Sequence, residues 1–159
     1  KPDLCHAIRY ECKMKPIRHI HPHFQYWLKY KDQHLIHLYT DVRMYLLELF
    51  PACNEILYHT HALTSVYSIS DKLSDAFCMI PIYTQHLNVG FNKGARLKDP
   101  HQLLKGTGKL IRHIEVKHPN DYRNLSVQSL IQEAYDFARK DMDKPTMSTG
   151  NTISKIKIP

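Results

Sequence analysis

The stretch His86-Leu87-Asn88-Val89-Gly90-Phe91 constrains this chain more than any other. Its apolar residues fall on every second position, and strand side chains alternate between faces. Leu87, Val89 and Phe91 must therefore share one side of a sheet, and that side needs a cover. The stretch lies within a run, residues 65–116, dense in short strand patterns and tight turns. Residues 66–69 read as the start of the sheet. Residues 76–82 read as a second strand, apolar on both faces and therefore central. Residues 86–91 are the third strand and 110–116 a fourth, and the short links between the first three predict an antiparallel meander.

The cover is supplied from both sides of this run. Between Asp32 and Phe50, the residues Leu35, Leu38, Tyr39, Val42, Leu46 and Leu49 repeat at helical spacing, with Asp41, Arg43 and Glu48 expected to point away from that stripe. Asp32 is the expected N-cap, and Pro51 stops the helix by disfavouring helical geometry at Phe50. Residues 52–63 suit either a helical turn or a strand start. A last helix is expected after a Ser126 cap, with Val127, Leu130, Ile131, Ala134 and Phe137 or Ala138 as its stripe. Asp99-Pro100 is read as opening a short helix through Leu103 and Leu104 that Gly106-Thr107-Gly108 ends. The expected fold class is α+β: an antiparallel sheet of about four to five strands with N- and C-terminal helices packed on one face. Leu87, Val89 and Phe91 should meet Leu38, Val42 and Leu130 there. Residues 1–30 read as an irregular N-terminal extension with a short helix near Trp27, 31–141 as the domain, and 142–159 as a polar C-terminal tail.

Composition bounds the function. With 159 residues, 43% of them hydrophobic, the chain has enough apolar side chains for one packed core. No apolar run approaches the roughly 20 residues of a membrane span, and no signal-peptide pattern is present, so the expected location is cytoplasmic with no membrane partner. The four cysteines, Cys5, Cys12, Cys53 and Cys78, form no CxxC pair, which leaves no zinc ribbon or dithiol redox motif; reduced thiols are expected. A formal charge of +7 invites an anionic or nucleic-acid partner, although the 22 basic residues are spread along the chain in the manner of a solvated surface.

Three chemistries remain. Lys93, Arg96, Lys105, Lys109 and Arg112 surround Gly106-Thr107-Gly108, where backbone N–H groups free of a Cβ can face a phosphate or carboxylate. The spacing is not that of a P-loop, because Leu110 stands where a Mg²⁺-binding hydroxyl would be; the glycines equally suit plain turn roles. Histidines supply the second candidate: His34 and His37 lie one helical turn apart, and His59 and His61 would share a strand face. Such pairs could hold a divalent metal ion as cofactor, but no third ligand is evident, and solvated histidines explain them as well. Third, Tyr10, Tyr26, Trp27, Tyr30, Tyr39, Tyr45, Tyr58, Tyr67 and Tyr83 beside basic residues offer stacking surfaces for nucleic acid, though Tyr39 and Tyr45 equally suit the core at their helical spacing and no RNP or KH pattern accompanies them. No Gly-x-Ser-x-Gly elbow or Cys-His signature points to acyl transfer, so the chain is read as a binder rather than an enzyme.

The residues 87–95, 97–100, 103–109 and 112–114, including Leu87-Asn88-Val89-Gly90-Phe91-Asn92-Lys93-Gly94-Ala95 and Leu103-Leu104-Lys105-Gly106-Thr107-Gly108-Lys109, resemble the signature of the DUF1801 (YdhG-like) family in order and spacing. Tyr58-His59-Thr60-His61-Ala62-Leu63 stands where many members carry a Gly-Met-Pro element, as in a divergent subgroup. The resemblance implies a frataxin-like layout over residues 41–140 and, through frataxin-like relatives, an iron carrier. The functional expectation is a small non-enzymatic domain that binds a small anionic ligand or a metal ion; the alternative is a basic protein- or nucleic-acid-interaction module.

Overall fold

The structure, a computed structural model, describes residues 17–143 and 148–159. Three helices and six strands follow in the order α1 (Pro22–Leu28), α2 (Gln33–Leu49), β1 (Asn54–His59), β2 (Leu63–Ser68), β3 (Ala76–Ile82), β4 (Leu87–Phe91), β5 (Arg112–Val116), α3 (Leu125–Asp141) and β6 (Thr152–Ser154). The fold is α+β, an open sheet with helices before and after the main run of strands. Strand order is β5-β4-β3-β2-β1-β6, a meander with one strand added at the far edge.

The sheet differs from expectation at that added edge. Six strands are present rather than four or five, and β6 runs parallel to β1, with Ile56 opposite Ile153. A parallel neighbour requires a long return, and here the return is α3 together with the residues after it. Part of the stretch expected as a polar tail thus pairs in the sheet, and Ile156 beyond it is buried. The ambiguous stretch 52–63 resolves as β1 and its turn into β2. Residues 92–111 contain one 3₁₀ turn (Gly94–Arg96) and no helix through Leu103 and Leu104. Instead the Asp99 carboxylate accepts from the N–H groups of Leu103 and Leu104 at 2.9 and 3.0 Å, and Asp99 and Gln102 both take positive φ. Those bonds favour a turn over a helix.

The core forms as the periodicities predict. Leu87, Val89 and Phe91 are at most 1% exposed and pack in one cluster with Leu38, Val42 and Leu130. Phe24 and Leu28 of α1 join it, so the segment read as irregular contributes to the core through a short helix whose residue Trp27 packs at the margin. Asn124, not Ser126, caps α3: its side chain accepts from the Val127 N–H at 2.9 Å. The opposite sheet face holds a smaller apolar cluster of Ile56, Val66, Ala76 and Met79. No helix among the described residues is long and apolar enough to cross a membrane.

Candidate functional site

The basic connection predicted from sequence becomes a pinned loop at the β5 edge. Lys105 and His113 exchange both backbone hydrogen bonds, at 2.8 and 2.9 Å, which closes the base of the loop 106–112. Gly94 packs so tightly on the start of β5 that a Cβ there would stand 2.6 Å from Arg112 Cβ; only glycine fits. Gly106 takes φ +121°, a conformation L side chains rarely adopt. Across the loop the Arg112 guanidinium donates from Nη1 to the carbonyls of Gly108 (2.5 Å) and Ile111 (2.8 Å). In a trans peptide the N–H opposes the C=O, so turning the Gly108 carbonyl inward turns the Lys109 N–H outward. Residues 105–109 are exposed. Among the described residues the N–H groups of Gly106, Thr107, Gly108 and Lys109 meet no intrachain acceptor, and Lys109 makes no ion pair.

The other predicted cations are differently employed. Lys93 is ion-paired with Asp141, and Lys93 and Arg96 both lie over the Phe137 ring, at 6.0 and 5.9 Å. They face α3. Lys105 has Glu115 at 3.4 Å in an exposed pair. Arg112 spends its contacts on backbone carbonyls and so acts as the brace of the loop. The structure therefore joins Lys105, Gly106, Thr107, Gly108, Lys109 and Arg112 in one feature and sends Lys93 and Arg96 elsewhere. Near those two, a groove of about 610 Å³ along α3 is lined by Glu133 and Asp136 as well as Arg96, Lys98 and Lys140, and so carries both signs of charge.

Among the described residues no third ligand joins either histidine pair. His34 is exposed, and His37 Nε2 lies 3.1 Å from Gln33 Nε2. β1 ends at His59, so His61 sits in the turn and the two do not share a strand face. His59 instead meets the Trp27 ring edge-on, and burial, then Lys31, lowers its pKa. Among the described residues no group of three or more His, Cys, Asp or Glu side chains could hold a metal ion.

A charged constellation that the sequence did not reveal lies within the fold. Arg43, expected on the solvent side of α2, is 5% exposed and Glu55 only 1%. Arg43 Nε and Nη2 each donate to Glu55 at 2.8 Å, while Nη1 and Nη2 reach the carbonyls of Arg18 and His19. Burial works against the charge on Arg43, but the hydrogen bonds and field of Glu55 outweigh it and raise its pKa. Arg18 adds a bond to the Cys53 carbonyl at 2.7 Å and stands 3.5 Å from Glu55. Burial pushes the Cys53 thiol up to about 12, which favours the protonated form. Tyr67 Oη and Ser65 Oγ, 3.1 Å apart, complete the polar layer. This network fastens the chain before α1 to α2 and β1. Legible traces exist: Arg43 is four residues from the buried Tyr39, and Glu55 alternates with Leu57, so both sit at core-facing positions with opposite charge. A second clasp on α2 is half-exposed, where Asp41 accepts from Tyr122 and, at 2.9 Å twice, from Arg123.

Residues 25–138, well over half the chain, match the model of a family described as Domain of unknown function (DUF5655). No curated protein and no solved structure matches the chain. The match corrects the DUF1801 resemblance, and the frataxin-like layout and iron role that came with it fall away. The motif that suggested them is a buried strand, a glycine turn under Arg112 and a braced loop, which are demands of local packing that unrelated families can share.

Proposed function

The chain belongs to the DUF5655 family, and on that premise we propose that this member is a binding domain for a small anionic ligand bearing phosphate or carboxylate, held at the loop 106–109. One observation carries the reading: four successive N–H groups on exposed residues, with no acceptor among the described residues, on a loop braced from behind by Arg112 and flanked by the ammonium of Lys109. Successive backbone donors with an adjacent cation are the ordinary chemistry of an anion nest. Preorganisation supports it further, because the brace and the positive φ of Gly106 hold the donors before a ligand arrives. The site is shallow, and weak binding is expected. The free, buried thiols of Cys53 and Cys78 support a reducing, cytoplasmic setting.

A thermal-shift titration with inorganic phosphate and with citrate tests the reading. A ligand bound only by the native state stabilises by RT ln(1 + [L]/Kd), so Tm should climb with concentration in the wild type and much less in Lys109→Ala. Equal shifts in both proteins would assign the effect to nonspecific salt and remove the loop as a site.

A further inference from the structure

The opposite end of the sheet carries a surface that the anion loop does not use. Three connections meet there: residues 29–32 between α1 and α2, 60–62 between β1 and β2, and 83–86 between β3 and β4. Aromatic and cationic contacts link them. The Trp27 ring stands edge-on to His59 at 4.8 Å and to Tyr26 at 5.1 Å, and Tyr26 meets Tyr30 at 6.1 Å. Lys29 Nζ lies 4.5 Å from the Tyr26 ring centre and 5.0 Å from that of Tyr30. On the other side Lys31 Nζ donates to the Tyr83 carbonyl at 3.0 Å, and the Tyr83 ring stacks on His86 at 4.7 Å. Tyr30 is 67% exposed and Tyr83 36%.

We propose that this platform binds single-stranded nucleic acid, with bases stacked on Tyr30 and on the Tyr83–His86 pair and with Lys29 and Lys31 at the phosphates. The chemistry on the surface selects that partner. Asp32 is the one carboxylate on the three connections, against two lysines and two histidines, His61 and His86. The exposed apolar area on these connections is flat aromatic ring, whereas the exposed aliphatic side chains Ile17, Met44, Leu73, Ile111, Leu125 and Ile158 lie outside them. A partner helix would want an aliphatic groove; unpaired bases want ring faces with cations between them. Base pairs in a duplex hide their faces from such rings. This inference is independent of the anion loop, which lies at the other end of β4 and β5.

The chain's single tryptophan, Trp27, belongs to the platform and reports on it directly. The full chain is titrated, with fluorescence detection, against a thymidine oligomer, a duplex of mixed sequence and poly-glutamate. The expected result is saturable quenching by the oligomer alone, weakened roughly 5- to 160-fold by Tyr30→Ala and by Tyr83→Ala, the span that loss of one stacked base allows. Lys29→Ala should flatten the salt dependence of binding. Lys109→Ala should bind the oligomer as the wild type does, which separates this site from the loop. If the less exposed Tyr83 variant fails to fold, Tyr30→Ala and the Lys29→Ala salt slope decide. Absence of saturable quenching, equal binding of duplex or poly-glutamate, or wild-type affinity in Tyr30→Ala would each overturn the proposal; so would loss of oligomer binding in Lys109→Ala alone.

Discussion

Two charged regions toward opposite sides of the sheet use arginine in opposite ways. Beside β1, Arg43 is buried with four of its five N–H donors taken by Glu55 and by two backbone carbonyls. At the β5 edge, Arg112 also spends itself on carbonyls, but doing so turns the Lys109 N–H outward, and Lys109 has no counter-ion among the described residues. The first arrangement closes its hydrogen bonds inside the fold; the second exports them. Count of cations therefore says little about where a ligand goes, and the accounting of donors says more.

The sharpest way to break the comparison is to remove Glu55. Glu55→Ala strands a buried guanidinium and should cost about 3–5 kcal/mol in a urea titration, whereas Arg43→Met with Glu55→Leu should recover most of the loss. A cost below about 1 kcal/mol would mean the pair is not the closed staple described. Next in size, Gly106→Val forces a β-branched residue into positive φ and should cost about 1–3 kcal/mol while abolishing the anion-dependent rise in Tm.

The clasp at Asp41 gives a smaller effect with a defined pH signature. The Arg123 hydrogen bond, helped by Tyr122, holds the Asp41 carboxyl below its ordinary value of 3.8 against the opposing effect of burial. Its contribution is therefore complete above the unfolded carboxylate pKa and is lost as pH falls through the lower folded value. Asp41→Asn should cost about 1 kcal/mol at neutral pH, and wild type and variant should converge below the carboxylate range in acid urea titrations. Smallest of all, Lys109→Ala should leave stability within about 0.5 kcal/mol while weakening phosphate binding.

How much of this the sequence disclosed follows from periodicity. The α2 stripe and the alternation in β4 are long enough to show their faces, and both packed as read. β6 has only three residues, too few for any period, and its partner β1 was itself ambiguous. That ambiguity hid the buried pair, because Glu55 is recognisable as core-facing only once β1 is known to be a strand. The loop was visible as glycines among cations. Its division was not: Lys93 and Arg96 turn to α3 because Asp141 and Phe137 lie there, a tertiary contact between residues more than forty positions apart.

The claim that the loop exports its donors is tested most directly by backbone amide NMR through a phosphate titration. Saturable shifts of the Gly106, Thr107, Gly108 and Lys109 amides, reduced in Lys109→Ala and absent at His34 and His59, are the predicted result. Loop amides that move no more than those remote positions would contradict it.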